Sequence, residues 1–170
     1  MIDSNTPLDV LVETHGQIIK ELKKRGIIKN ARRSIVDKSA VREIGESLAI
    51  HIYTCDKLLP TLLPLEKRRR DFNAISTEGD RYAIKILPSK KHKLVSGLFP
   101  LDFEVPPKGK MFDYLIVCLF DGDCRLDAVY EFSWQTVQNH MTCNETRRSW
   151  SMEISKTVLS NAKIIVKPKK

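Results

Sequence analysis

The hydrophobic period of this chain changes near residue 70, and this change restricts the fold more than any other feature. Before it, apolar residues recur at helical spacing, first over Leu8 to Arg25 and again from Ala40 to about Cys55. After it, apolar and polar residues alternate as they do in strands. Helices and strands are therefore separated along the chain, which predicts an α+β protein.

Two hairpins are predicted in the second part of the chain. The first joins 72–76 to 81–87 through Glu78-Gly79-Asp80, and the second joins 112–120 to 126–132 through Asp121-Gly122-Asp123. Ser133 is placed to cap a short helix, and a helix-like stretch runs from Ile154 to Val166. We therefore expect one domain over 1–170, with two amino-terminal helices, a mixed sheet of about four strands, a carboxy-terminal helix and a basic tail at 167–170.

The charge balance points to a polyanionic partner. The chain has 29 Lys and Arg against 21 Asp and Glu, a formal net charge of +8. Clustered cations of this kind bind phosphates and release counterions. Two basic runs flank the first hairpin, and they supply the predicted DNA-binding residues: Arg68, Arg69, Arg70, Lys90, Lys91 and Lys93.

Other features exclude several classes of protein. The longest apolar run, 114–120, is too short to span a bilayer, and the amino terminus lacks the basic and apolar regions of a signal peptide. The four cysteines form no CxxC pair and have no ligand-like spacing to histidine, so neither a zinc module nor a disulfide scaffold is predicted. We expect a cytoplasmic protein with reduced thiols.

A helix acid, two strands and a lysine occur in an order that suits metal-dependent phosphodiester hydrolysis. Such hydrolysis needs carboxylates that hold Mg²⁺ and activate water, with a lysine nearby. Glu46 lies on the second helix, Asn73 on the first strand of the hairpin and Lys85 on the second. Glu46 is also spaced to pair with Arg42 at i,i+4, which is an alternative role for it.

The motifs that carry these residues resemble those of one superfamily. They are Glu-Leu-Lys-Lys-Arg-Gly-Ile-Ile at 21–28, Ile-Gly-Glu at 44–46, Asp-Phe-Asn-Ala-Ile-Ser at 71–76, Glu-Gly-Asp-Arg-Tyr-Ala-Ile-Lys at 78–85 and Phe-Asp-Tyr-Leu-Ile-Val at 112–117. In order and spacing they resemble the PD-(D/E)XK, restriction-endonuclease-like superfamily over about residues 10–140. The resemblance implies a restriction-endonuclease-like core, double-stranded DNA as substrate, Mg²⁺ or Mn²⁺ as cofactor, and a possible homodimer.

The chain departs from that family at both strand acids. The resemblance places the catalytic site at Glu46, Asn73, Ala83 and Lys85, with the first three as metal ligands, but asparagine and alanine stand where the family has acids. An amide oxygen is a weak ligand and an alanine offers none. The expected function is DNA binding on a nuclease fold whose hydrolytic activity is impaired in this chain.

Three explanations of the missing acids remain open from the residues alone. The chain has lost catalysis and kept DNA binding, or acids at Asp71 or Glu43 substitute for the missing ones, or the sequence is an engineered inactive form. The alternative function is that of a naturally non-catalytic regulator that binds DNA or a protein partner.

Overall fold

Two amino-terminal helices open the structure, a computed structural model that describes residues 6–24, 38–65, 72–89, 91, 93–100, 109–121, 125–146 and 148–168. Helix α1 spans Leu8–Lys24 and helix α2 spans Lys38–Cys55. Both lie where the helical spacing predicts them.

The strands of the described residues form two sheets. They are β1 (Leu62–Pro64), β2 (Ala74–Ser76), β3 (Arg81–Leu87), β4 (Leu94–Pro100), β5 (Tyr114–Phe120), β6 (Leu126–Ser133), β7 (Met141–Asn144), β8 (Ser149–Glu153) and β9 (Lys163–Val166). One sheet has six strands in the order β1-β2-β3-β5-β6-β9, and the other has three in the order β4-β8-β7. In the larger sheet β3 and β5 are parallel and the other pairs are antiparallel, so this sheet is mixed. The predicted α+β class is confirmed.

Both predicted hairpins are present. Strand β2 pairs with β3 in antiparallel register, and Gly79 in the connecting turn has a φ of +96°, a conformation that favours glycine. Strand β5 pairs with β6 in the second hairpin. Short helix α3 (Trp134–His140) follows, and the Ser133 side chain accepts a hydrogen bond from the Thr136 N–H, as expected of its cap.

Two predictions about the fold are wrong. The described residues contain nine strands in two sheets rather than about four in one. The predicted helix over 154–166 is short helix α4 (Lys156–Leu159) followed by β9. Side chains of Ser160 and Asn161 both donate to the carbonyl of Thr157, which competes with helix continuation, and the β-branched run after them pairs with β6.

The six-stranded sheet is buried on both faces. On one face, Leu48, Ala49 and Tyr53 of α2 pack against apolar side chains of β3 and β5. Gly45 permits this close approach, because a Cβ there would lie 2.6 Å from Ile86 Cδ1. The other face packs against the three-stranded sheet and α3. Alternation along β3 therefore decides which of its side chains face α2 and which face the smaller sheet.

Candidate functional site

Asn73 is held by the backbone of β3. Its side-chain Oδ1 accepts a hydrogen bond from Ile84 N over 2.7 Å, and its Nδ2 donates to Ile84 O over 3.5 Å. Its own N–H donates to Tyr82 O over 3.0 Å. The amide thus extends the pairing of β2 with β3 by one residue, and the oxygen predicted as a metal ligand already accepts a backbone hydrogen bond.

Ala83 lies in the hydrophobic core. It is 1% exposed and clusters with buried side chains on the face of β3 that packs against the smaller sheet. Its neighbour across the parallel pairing is Leu115, which is fully buried. A longer acidic side chain at this position would enter apolar surroundings, which is costly for a charged group.

Lys85 lies two residues after Ala83 and thus on the same strand face. Its Nζ donates a hydrogen bond to Gly97 O over 2.8 Å. Gly97 has a φ of +68° and lies where the pairing of β4 with β8 shifts register between Val95 and Phe99. Lys85 therefore contacts the irregular part of β4.

Glu46 lies on the opposite side of the sheet. Its carboxylate accepts a hydrogen bond from Arg42 Nε over 2.9 Å, which is the i,i+4 pair that its spacing predicts. Cys118 Sγ lies 4.0 Å from the carbonyl oxygen of Gly45, the residue before Glu46, and burial first and the Glu46 charge second raise the pKa of this thiol to about 12. Cys118 belongs to the apolar cluster that faces α2, whereas Ala83 belongs to the cluster on the other face.

The structure thus brings three of the four predicted site residues together and sets the fourth apart. Asn73, Ala83 and Lys85 meet along the β2–β3 hairpin, and the sheet separates them from Glu46. Together they offer Mg²⁺ one amide oxygen, no strand carboxylate and a nearby ammonium group, which is a poor ligand set for a hard dication.

In the described part of the chain, no three His, Cys, Asp or Glu side chains are grouped to hold a metal. Of the two substitute acids, Glu43 is exposed on α2 and Asp71 lies outside the described residues.

The predicted DNA-binding residues are described in part. Arg68, Arg69, Arg70 and Lys90 lie outside the described residues, whereas Lys91 and Lys93 are both exposed just before β4.

Strand pairing adds a third lysine to this pair. Lys93 O accepts a hydrogen bond from Ile154 N over 2.7 Å, so the start of β4 lies beside the end of β8, and the exposed Lys156 begins α4 two residues later. We call Lys91, Lys93 and Lys156 the lysine edge. Lys156 was not predicted, because no sequence signal connects β4 with β8, whose paired residues are 49 to 59 positions apart in the chain.

Charge pairing distinguishes the lysine edge from five other described cations. Several described cations have a carboxylate within 4.0 Å, namely Arg42, Arg81, Lys110, Arg125 and Lys163. Among the residues that the structure describes, no carboxylate is that close to the three ammonium groups of the lysine edge. Glu153, whose Cα pairs with that of Leu94, is the nearest acid along the strands.

One buried acid, Glu131, and one half-buried acid, Asp113, have structural partners that the sequence did not reveal. Tyr53 of α2 donates a hydrogen bond to Glu131 of β6 over 2.6 Å, and Lys163 of β9 lies 3.7 Å from the same carboxylate. Burial and the Glu131 charge raise the pKa of Tyr53. Asp113 accepts hydrogen bonds from the backbone N and the Nε of Arg81. These contacts join α2 to β6 and the start of β3 to that of β5.

Comparison with known proteins adds no assignment, since neither a scan against protein-family models nor a search of curated proteins finds a match to this chain. Within the described residues, no helix has both the length and the apolar character needed to cross a bilayer.

Proposed function

We propose that this chain binds double-stranded DNA through a basic surface that includes the lysine edge, and that it does not hydrolyse the DNA in its present form. The observation that carries the proposal is the lysine edge, where three exposed ammonium groups lie at one end of the three-stranded sheet with no described carboxylate within 4.0 Å. The net charge of +8 supports a polyanionic partner.

Phosphate contacts account for this choice of partner. A lysine that neutralises a DNA phosphate releases condensed counterions, so the affinity falls steeply with salt. Three such contacts alone would give a slope of about −2.7 in log K against log salt, which is about a 40-fold loss between 50 and 200 mM salt. Lysine is a point charge without bidentate geometry, so this surface favours backbone binding over base recognition.

The absence of hydrolysis follows from the hairpin residues. Ala83 is buried and has no ligand atom, Asn73 Oδ1 accepts a hydrogen bond from Ile84 N, and Lys85 donates to Gly97 O. Together they provide no carboxylate that could activate water.

The second candidate function is nuclease activity in a variant that has acids at positions 73 and 83. It is favoured because Asn73, Ala83 and Lys85 lie on one hairpin in the order that the family resemblance requires.

A charge-matched comparison tests the binding. The affinity for a fluorescent 30-base-pair duplex is measured by anisotropy from 50 to 200 mM salt, for the native chain and for Lys91→Glu/Lys93→Glu/Lys156→Glu. The control, Lys24→Glu/Lys57→Glu/Lys167→Glu, makes the same change of net charge at exposed lysines elsewhere. We expect the first variant to lose at least about tenfold in affinity and to have a shallower salt slope, while the control loses less than about threefold. Equal losses in both variants would remove the lysine edge from the proposal, and a native chain without salt-dependent binding would refute DNA binding.

A cleavage assay tests the second part of the proposal. Supercoiled plasmid is incubated with Mg²⁺ or Mn²⁺ and either the native chain or Asn73→Asp/Ala83→Glu. Binding without cleavage by the native chain is the expected result. Cleavage by the native chain would refute the proposal, and cleavage by the restored form alone would identify a nuclease fold from which two acids have been lost.

A further inference from the structure

A histidine and a cysteine lie together at the end of α2, on the surface away from the lysine edge residues. His51 and Cys55 are one helical turn apart, and Cys55 Sγ lies 3.6 Å from His51 Nε2 and 3.7 Å from Nδ1. Cys55 is exposed and His51 is half-buried. A helix places residues i and i+4 on one face, so these two side chains are neighbours although their sequence spacing was not predicted to be that of metal ligands.

The separation of the two side chains suits a tetrahedral metal ion. Zinc bonds of about 2.3 Å to sulfur and about 2.05 Å to nitrogen, at the tetrahedral angle, place the two ligand atoms about 3.6 Å apart. The sulfur is almost equally far from both ring nitrogens, so either nitrogen could become the second ligand. Rotation of the imidazole about its Cβ–Cγ bond would direct one nitrogen toward a shared ion without moving the helix.

The position on the helix also favours a cation. Cys55 is the last residue of α2 and His51 lies one turn before it, so both are close to the helix end, where the carbonyl groups carry a partial negative charge. Histidine nitrogen and cysteine thiolate are the ligands that zinc prefers in proteins.

Two protein ligands do not complete the coordination of a zinc ion. Structural zinc takes four protein ligands, and the described residues contain no group of three His, Cys, Asp or Glu side chains that could hold a metal. A second copy of the chain, related by a twofold axis, would add an identical pair and complete a Cys₂His₂ set. Leu58 lies three residues beyond Cys55 and is 91% exposed, so its side chain is open to contact with a second chain.

We propose that His51 and Cys55 form half of a zinc site and that a second copy of this chain supplies the other half. One ion then joins two chains, and the dimer forms only when the thiol is reduced and the imidazole is neutral. The proposal does not depend on DNA binding, and its test uses no DNA.

Metal titration and molar mass test this proposal together. The reduced full-length chain is titrated with cobalt chloride, whose thiolate charge-transfer and visible bands report a tetrahedral sulfur-containing site, and then with zinc chloride. The molar mass is measured by light scattering after size exclusion, with zinc or with EDTA. We expect saturation at half an equivalent of metal and a zinc-dependent doubling of the 19.5 kDa mass.

Variants at exposed positions identify the ligands. Cys55→Ser and His51→Gln should each abolish the cobalt bands and the zinc-dependent dimer, whereas Cys143→Ser, which changes another exposed cysteine, should keep both. Circular dichroism with EDTA should be the same for all variants, since the site is on the helix surface. The proposal is overturned by binding of one metal per monomer, by a dimer that persists in EDTA or in Cys55→Ser, or by the absence of cobalt bands at micromolar metal.

Discussion

The Lys85 ammonium group donates a hydrogen bond to the carbonyl oxygen of Gly97 over 2.8 Å, and this contact links the six-stranded sheet to the three-stranded sheet. The lysine that the family resemblance assigns to catalysis therefore has a structural partner in this chain. Its position also connects the β2–β3 hairpin with the strand that begins next to Lys93.

Replacement of Lys85 by methionine tests this structural role. The variant keeps the apolar stem and removes the donor, so we expect the free energy of unfolding to fall by about 1 kcal/mol while DNA affinity stays unchanged. Urea denaturation and duplex anisotropy measure the two quantities. Lys91→Met, at an exposed lysine, is the control and should leave stability within about 0.5 kcal/mol of the native value. A Lys85→Met variant of native stability but tenfold weaker DNA binding would show instead that the ammonium group binds phosphate.

Ala83→Glu should destabilise the fold through its charge. Ala83 is almost completely buried among apolar side chains, so an ionised carboxylate there lacks a compensating partner. We expect a loss of about 3 kcal/mol or more at pH 7, and a smaller loss for the neutral, equally large Ala83→Gln. Burial raises the pKa of the introduced carboxyl group above its value of about 4.3 in the unfolded chain. The difference in unfolding free energy between Ala83→Glu and Ala83→Gln should therefore close as the pH falls below about 4.3, where the carboxyl group is protonated in both the folded and the unfolded chain. Denaturation of both variants at several pH values measures this gap, and equal stabilities at pH 7 would show that position 83 reaches solvent.

Tyr53→Phe removes the hydroxyl group that donates to the buried Glu131 carboxylate. We expect a loss of about 1–3 kcal/mol at pH 7, because among the described residues the carboxylate then keeps the more distant Lys163 as its partner. Tyr114→Phe is a matched control at a half-buried tyrosine and should change stability by less than about 0.5 kcal/mol.

The Tyr53–Glu131 pair also predicts an alkaline loss of stability. Burial and the Glu131 charge raise the pKa of Tyr53 above the ordinary 10.0. Near and just above pH 10, Tyr53 therefore ionises in the unfolded chain but not in the folded one. The contribution of Tyr53 is thus present below pH 10 and declines as the pH rises further. Chemical denaturation between pH 8 and 11 should show a steeper decline for the native chain than for Tyr53→Phe, and parallel curves would contradict the assigned pair.

The sequence predicts those parts of the fold that depend on local order. Helical spacing locates α1 and α2, and a glycine turn between two alternating segments locates β2 and β3. The smaller sheet escapes prediction because β4 contains Gly97 and Pro100, which are typical of loops, and because its partner β8 is distant in sequence. Alternation of Trp150 and Met152 with serines was a usable signal for β8.

One part of the candidate site could be predicted from the sequence, and the other part depends on tertiary packing. The order of Asn73, Ala83 and Lys85 on one hairpin follows from the sequence, since strand period and turn length determine it. The side of the sheet on which Glu46 lies depends on how α2 packs, which the contact between Gly45 and Ile86 determines. Such a tertiary contact leaves no local pattern.

Asp113→Asn gives the final prediction, an acid-dependent loss of stability. Burial alone would raise the pKa of this carboxyl group, but hydrogen bonds from Arg81 and the charges of Arg81 and Lys110 outweigh burial and hold it below the ordinary 3.8. The carboxylate therefore adds stability at pH values above 3.8, and this contribution is lost as the pH falls through the lowered pKa. The amide introduced by the substitution would keep one acceptor but no charge, so we expect a loss of about 1–2 kcal/mol at pH 7.

Urea denaturation at pH 7, 5, 3.5 and 2.5 measures the difference between the native chain and Asp113→Asn. The difference should be constant from pH 7 to 5 and shrink at the two acidic values. Asp56→Asn is the control, because Asp56 is an exposed aspartate that accepts a local hydrogen bond from Leu58 N. A difference for Asp113→Asn that does not change down to pH 2.5 would mean that the carboxylate charge contributes nothing and that the hydrogen bonds to Arg81 alone join the starts of β3 and β5.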